Sequence, residues 1–293
     1  MSKRDIDELR RDIDKIDSHI QDLLQKRVDI VDEIVKVKRK SGKQIIFPAR
    51  EADLMRKLFK AHSGKFPRKS LFRIWREIIG ATTILQTKDV HIAIPATDSA
   101  HSAHDALSFM ELAKDYFSSS IPVKRASNAV SVLAMVREGD ATFGVLPWPE
   151  DGDKRSWWRM FKDEIGDEEL NIIARLPFND ADGDNMSMAA QRALVVSKLP
   201  FDKSEADRTF LVVELGEAVS RGGLVDKCKQ EDLEPVSIYT SPDDGYSNTL
   251  HLIEVDEYIE QGDKRLAALE KSIGGGSMTR CYRIGGYAVP PKY

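Results

Sequence analysis

From Ile6 to Val37 the apolar residues recur in alternating steps of three and four: Ile6, Leu9, Ile13, Ile16, Ile20, Leu23, then Ile30, Ile34 and Val37. No Gly or Pro interrupts the run before Gly42, so the pattern predicts one helix carrying a heptad seam over more than four repeats. A helix of ~35 residues rises ~50 Å, farther than a small domain can cover. Its stripe needs partner helices, and a second chain can supply them. One position breaks the seam. Counting by sevens from Ile6 leads through 13 and 20 to 27, which is Arg. A guanidinium there is costly unless it is paired. It can set register, pair with an acid on another helix, or hold a ligand.

The surrounding cations narrow the choice. Lys38 lies 11 residues beyond Arg27, which leaves the two within ~20° on the helix and ~16 Å apart, close enough to converge on one small dianion. Arg10 is ~25 Å from Arg27 along a stiff rod. If it binds the same kind of ligand, it does so in a neighbouring subunit's site. A second helix is expected from Pro48 to near Gly64, with Leu54, Leu58 and Ala61 as its stripe and Arg50-Glu51 in its opening turn. Glu51 also suits the helix dipole there. A third helix is expected from Pro67 to Gln86, with Leu71, Ile74, Ile78 and Leu85 facing inward and Thr82 and Gln86 paired at i,i+4.

Charge divides the chain. Residues 1–87 hold 21 Lys and Arg against 13 Asp and Glu, a net of +8, while the rest carries a net of −12. The basic part suggests an anionic ligand. Nucleic acid fits poorly, because the cations point partly into the seam and no set of stacking aromatics accompanies them. No ~20-residue apolar span exists for a membrane, and the N-terminus runs into acidic residues instead of an apolar signal core. The expectation is a soluble cytoplasmic protein with no membrane partner. Two cysteines, Cys228 and Cys281, match neither a disulfide framework nor metal-ligand spacing.

Beyond Thr87 the pattern changes to strands near 90–94, 123–124, 141–147, 170–176 and 192–197, with helices at 105–116 and 128–138, the second ended by Gly139. Such alternation indicates an α/β layer with parallel pairs. The last ninety residues read βαββα or longer: strands at 208–215, 235–239 and 249–255, helices at 223–231 and 262–272, and a turn at 241–245. Residues 203–207 are a polar linker candidate, Gly274-Gly275-Gly276 a loop, and Trp157-Trp158 either core or interface.

Leu9-Arg10, Arg27, Lys38, Arg50-Glu51, Ile78-Ile79-Gly80-Ala81-Thr82 and Gln86 together resemble the all-helical class of chorismate mutase. The resemblance covers roughly residues 4–88, with five separated charged positions in register. It implies an intertwined homodimer that rearranges chorismate to prephenate without a cofactor or metal. By that resemblance Arg10 of one chain and Arg27 of the other hold the substrate carboxylates. Lys38 and Gln86 hydrogen-bond the ether oxygen of the breaking bond, Arg50 and Thr82 support the carboxylates, and Glu51 accepts from the ring hydroxyl. Arg27, Lys38 and Gln86 would thus be catalytic, and Arg10, Arg50, Glu51 and Thr82 substrate-binding. One position departs: Phe47 stands where some members carry an acid. A pericyclic step needs no acid, base or covalent intermediate, and fixed cations supply orientation and preorganised electrostatics. Gln86 does not titrate, so activity should stay flat above neutral pH.

Residues 90–200 resemble one lobe of the prephenate dehydratase domain, with Pro147-Trp148-Pro149-Glu150-Asp151 where that family has Pro-Ile-Glu-Asn-Ser and Ser102–Leu107 near its Gly-rich turn. No second lobe follows, and Arg208-Thr209-Phe210 has the letters of the family's Thr-Arg-Phe motif reordered. The C-terminal part resembles an ACT domain: Gly222-Gly223-Leu224 stands for Gly-Ala-Leu, and Tyr239-Thr240-Ser241-Pro242 for Glu-Ser-Arg-Pro without the Glu and Arg. The expected fold is therefore multidomain: an all-α three-helix mutase domain at 1–88, an α/β lobe at 89–203 and an α+β, ferredoxin-like ACT-like domain at 204–293. The expected function is chorismate mutase with dehydratase activity lost. The alternatives are a bifunctional mutase/dehydratase and a non-catalytic regulatory protein using the mutase fold.

Overall fold

The computed structural model describes residues 4–41, 46–87, 89–96, 103–153, 156–163, 169–178, 192–215, 219–241, 249–273 and 280–290. The expectations for 242–245, for 274–276 and for the side chains of 102–107 lie outside the described residues.

The heptad stretch forms α1 (Ile6–Ser41), with Asp7 and Glu8 in its first turn, where acids complement the helix dipole. Its apolar seam is uncovered: Ile13 and Ile16 are each 56% exposed, and Ile6, Leu9, Ile20, Leu23, Ile30, Ile34 and Val37 are exposed as well. Among its described side chains only Val35 is buried. Helix α2 (Pro48–Ala61) opens on Pro48, whose fixed φ and missing N–H suit a first turn. Helix α3 is Arg68–Gln86.

The buried faces of α2 and α3 differ from those expected. On α2 they are Ala49, Ala52, Met55 and Phe59, with Leu54 and Leu58 half-buried and Ala61 exposed. On α3 they are Phe72, Arg76, Ile79, Gly80 and Thr82, while Ile74 and Leu85 are exposed. The reason is tertiary. Ala52, Met55, Phe59, Phe72 and Ile79 share one core with Ile92, Ile94, Phe109, Tyr116 and Phe117 from beyond residue 88, so these helices turn their larger residues toward the α/β region. Helix α3 packs there at backbone range. A Cβ on Gly80 would lie 2.3 Å from the Phe117 carbonyl oxygen and from the Ser118 Cβ.

The α/β region runs β1 (Ile92–Pro95), α4 (Ala103–Phe117), β2 (Val123–Ala126), α5 (Ala129–Glu138), β3 (Phe143–Pro147), β4 (Asn171–Leu176) and β5 (Ala193–Ser197). Strands β2, β1 and β3 are parallel, and β5 joins β3 antiparallel. Asn128 caps α5 by accepting from the Ser131 N–H. Trp157 and Trp158 are both buried, in a core shared with Phe210 and Val212. The C-terminal part runs β6 (Asp207–Leu215), α6 (Arg221–Gln230), β7 (Pro235–Ser241), β8 (Thr249–Val255), α7 (Lys264–Ile273) and β9 (Arg280–Ala288). Its strand order β9-β6-β8-β7 is that of a ferredoxin-like βαββαβ unit.

Strand β9 joins the two regions into one nine-stranded sheet by pairing β4 on one side and β6 on the other. Two glycines permit this. Gly285 has φ +105°, and a Cβ there would stand 2.2 Å from the Ile172 carbonyl oxygen. One on Gly286 would stand 2.1 Å from that of Arg208. In the linker candidate at 203–207, Ser204 and Asp207 are buried while Lys203, Glu205 and Ala206 are exposed. Arg56 of α2 donates to Ser204 Oγ at 3.1 Å and to the carbonyls of Ala206 and Val289 at 2.7 Å each. No helix of the described residues is long and apolar enough to cross a membrane.

Candidate active site

Arg27 is half-buried, while its seam neighbours Leu23 and Ile30 stay uncovered. Its Nη1 donates to Thr82 Oγ1 at 3.2 Å. Thr82, on the buried face of α3, in turn donates to the Ile78 and Ile79 carbonyls at 3.1 and 2.8 Å. This fixes its hydroxyl so that a lone pair meets the guanidinium. Burial pushes the Arg27 pKa down, and the nearby Glu51 carboxylate works against that.

Glu51 follows Pro48 by three residues, so the first turn of α2 aims its carboxylate between α1 and α3. Its Oε2 accepts from Arg76 Nη1 at 3.0 Å. Burial pushes the Glu51 carboxyl above its usual range, and the positive charges of Arg76 and Arg27 oppose the shift. The three helices thus contribute alternating charges: Arg27 from α1, Glu51 from α2 and Arg76 from α3. A cavity of about 20 Å³ beside Glu51, lined also by Ile46, Pro48, Ile79, Gly80 and Tyr116, has room for about one water.

Of the residues singled out from sequence, the structure brings Arg27, Glu51 and Thr82 together. Gln86 is half-buried one turn beyond Thr82 on α3. Arg50 is exposed at the start of α2. Arg10 is exposed and faces Asp7 at 3.4 Å, away from the cluster. The side chain of Lys38 lies outside the described residues. Sequence reasoning missed Arg76. It lies four residues after Phe72 and three before Ile79, on the face that the expected α3 stripe left out. Among the described residues no group of three or more His, Cys, Asp or Glu gathers to hold a metal ion.

Comparison with known proteins places likenesses on both parts of the chain. Residues 9–87 match the family model for chorismate mutase type II. The bifunctional chorismate mutase/prephenate dehydratase of Aquifex aeolicus (strain VF5) is 30% identical over 147 residues, 49% of this chain and 38% of that protein. The match therefore spans well under half of the relative's length. Among solved structures, prephenate dehydratase from Streptococcus mutans is 15% identical, covering 69% of this chain and 100% of its own, with a TM-score of 0.45. The Arthrobacter aurescens prephenate dehydratase in complex with L-Phe is also 15% identical, covering 68% and 90%, with a TM-score of 0.45. The stretch that matches the chorismate mutase type II model, residues 9–87, is the one that holds Arg27, Glu51, Arg76 and Thr82.

Proposed function

We propose that the chain is an active chorismate mutase whose site is completed by a second copy of itself. The observation that carries the reading is Arg27, half-buried against Thr82 and Glu51 on a seam that the chain's own residues leave uncovered. Closing that seam against another α1 brings a second set of cations to it. Arg10, too distant to serve its own Arg27, then serves the partner's. Arg27, Arg10, Arg50 and Thr82 hold the two carboxylates of chorismate in the compact conformer, which is the orientational part of catalysis. As the C–O bond breaks and the C–C bond forms, negative charge gathers on the ether oxygen, where Lys38 and Gln86 donate. Glu51 accepts from the ring hydroxyl. We place the units at 1–88, 89–203 and 204–293, the last being ACT-like.

Loss of the dehydratase step is part of the proposal. Residues 198–206 lead from β5 directly into β6, so no second lobe is inserted at that point of the chain. Trp148, in the altered signature, donates to Tyr239 Oη at 2.8 Å and meets the rings of Phe210 and Tyr287 edge to face. Arg208 is bonded to Glu254 and Asp256, and Thr209 to the Glu257 carbonyl. These residues join two parts of the sheet.

Purified protein given chorismate should form prephenate, which accumulates without conversion to phenylpyruvate. Arg27→Ala should lower kcat/KM by ~10²-fold or more, as loss of a preorganised electrostatic donor does. An Arg27→Ala protein with undiminished turnover would overturn the mutase assignment, and phenylpyruvate formation would restore the bifunctional reading.

A further inference from the structure

We infer that Arg76 is a positioning residue for the mutase site, holding the Glu51 carboxylate from a seat that the α/β region builds. The inference rests on the mutase reading above and extends it to a residue that does not touch substrate.

Arg76 is 2% exposed. Its Nη1 bonds Glu51, and its Nε and Nη2 meet no hydrogen-bond acceptor among the described residues. Aromatic rings surround the guanidinium instead: Tyr116 at 4.0 Å, Phe178 at 5.3 Å and Phe72 at 5.4 Å from their centroids. Tyr116 and Phe178 belong to the α/β region, so two of the three rings of the cation–π seat, the nearest among them, come from outside the helical domain. Stability alone does not account for such a residue, since a buried ion pair is commonly no better than apolar side chains of similar volume. The pair makes sense if Glu51 must be ionised and fixed toward Arg27.

The seat is held in register. Ser118 Oγ and the Ser119 N–H donate to Glu77 at 2.6 and 2.9 Å, and Arg73 meets Asp115 at 3.0 Å. With the Gly80 contact, these fasten α3 to the end of α4. Among the described residues, the charged or titratable groups facing Glu51 are Arg27 from α1, Arg76 from α3 and Tyr116 from α4. Burial pushes the Tyr116 hydroxyl above its ordinary range, so it stays neutral. Of the two cations, Arg76 is the one bonded directly to the carboxylate. Without it, only the Arg27 charge opposes the effect of burial on Glu51.

The test uses the full-length protein as wild type and as Arg76→Gln, Arg76→Lys, Tyr116→Leu and Tyr116→Phe. Chorismate turnover is followed from about pH 5 to 9, and the Glu51 carboxyl is titrated by ¹³C NMR, assigned with Glu51→Gln. In Arg76→Gln the Glu51 midpoint should rise by about one unit or more, with kcat/KM depressed ~10-fold at the acid end and recovering toward pH 9. Arg76→Lys should restore most of the profile. Tyr116→Leu should shift it the same way by less, and Tyr116→Phe should match wild type. An unmoved Glu51 midpoint, or a loss equal at every pH, would overturn the inference. If Arg76→Gln does not fold, an unmoved midpoint in Tyr116→Leu does the same. A wild type without turnover would instead sink the mutase reading, and the carboxyl titration would still decide whether Arg76 holds Glu51.

Discussion

On α3, Phe72 and Ile79 are buried against the α/β region, whereas Ile74 and Leu85 stand in the open with the α1 seam. The inner face belongs to a core that one chain completes. The outer face has nine exposed apolar residues on α1 alone. Full burial of such side chains stabilises by roughly 1.5–3 kcal/mol each. Summed over the seam, that rivals the net stability of a domain, about 5–15 kcal/mol. The difference separates two jobs: the inner face fixes α3 and Arg76, and the outer face is the one the proposed dimer would cover.

The strongest way to break this contrast is to charge the outer face. Ile16→Asp with Leu23→Asp should leave the nine-stranded sheet folded, reduce the mass in sedimentation equilibrium to one chain, and cut turnover by ~10²-fold or more. Next in size is Gln86→Glu. Its carboxyl must be protonated to donate to the ether oxygen, so kcat/KM should fall ~10-fold per pH unit above its midpoint, while wild type stays flat from pH 7 to 9. On the inner face, Gly80→Ala forces α3 away from Phe117 and Ser118, and thermal unfolding should report a loss of about 1–3 kcal/mol. The smallest effect is at Glu77. Burial tends to raise its pKa, but the hydrogen bonds from Ser118 and Ser119 outweigh this and hold it below the usual range. Its contribution is therefore present above its unfolded pKa and fades as pH falls through the folded one. Glu77→Gln should remove that part of the acid sensitivity of Tm.

How much of this was legible in the sequence follows the same division. The α1 seam, Pro48 at the start of α2 and the strands of the α/β region were readable because local periodicity and turn chemistry carry them. The stripes of α2 and α3 were legible in part: Leu54, Leu58 and Leu71 pack half-buried on the core, whereas Ile74 and Leu85 are exposed because elements beyond residue 88 draw Met55, Phe59, Phe72 and Ile79 inward. Strand β9 was left open in the βαββα-or-longer reading; its Gly285 and Gly286 serve close approach to β4 and β6. The Arg27, Glu51 and Thr82 grouping was foreseeable from spacing and resemblance. Arg76 was not, since its partners Tyr116 and Phe178 come from another region.

The claim that two chains share each site can be tested by co-expressing Arg10→Ala and Arg27→Ala proteins, each inactive alone. If Arg10 of one chain serves Arg27 of the other, half of the dimers in an even mixture are mixed, and each mixed dimer holds one intact site of two. The account predicts recovery of about a quarter of wild-type prephenate formation. Mixed dimers that form, as shown by native mass spectrometry, but turn over no chorismate would contradict it.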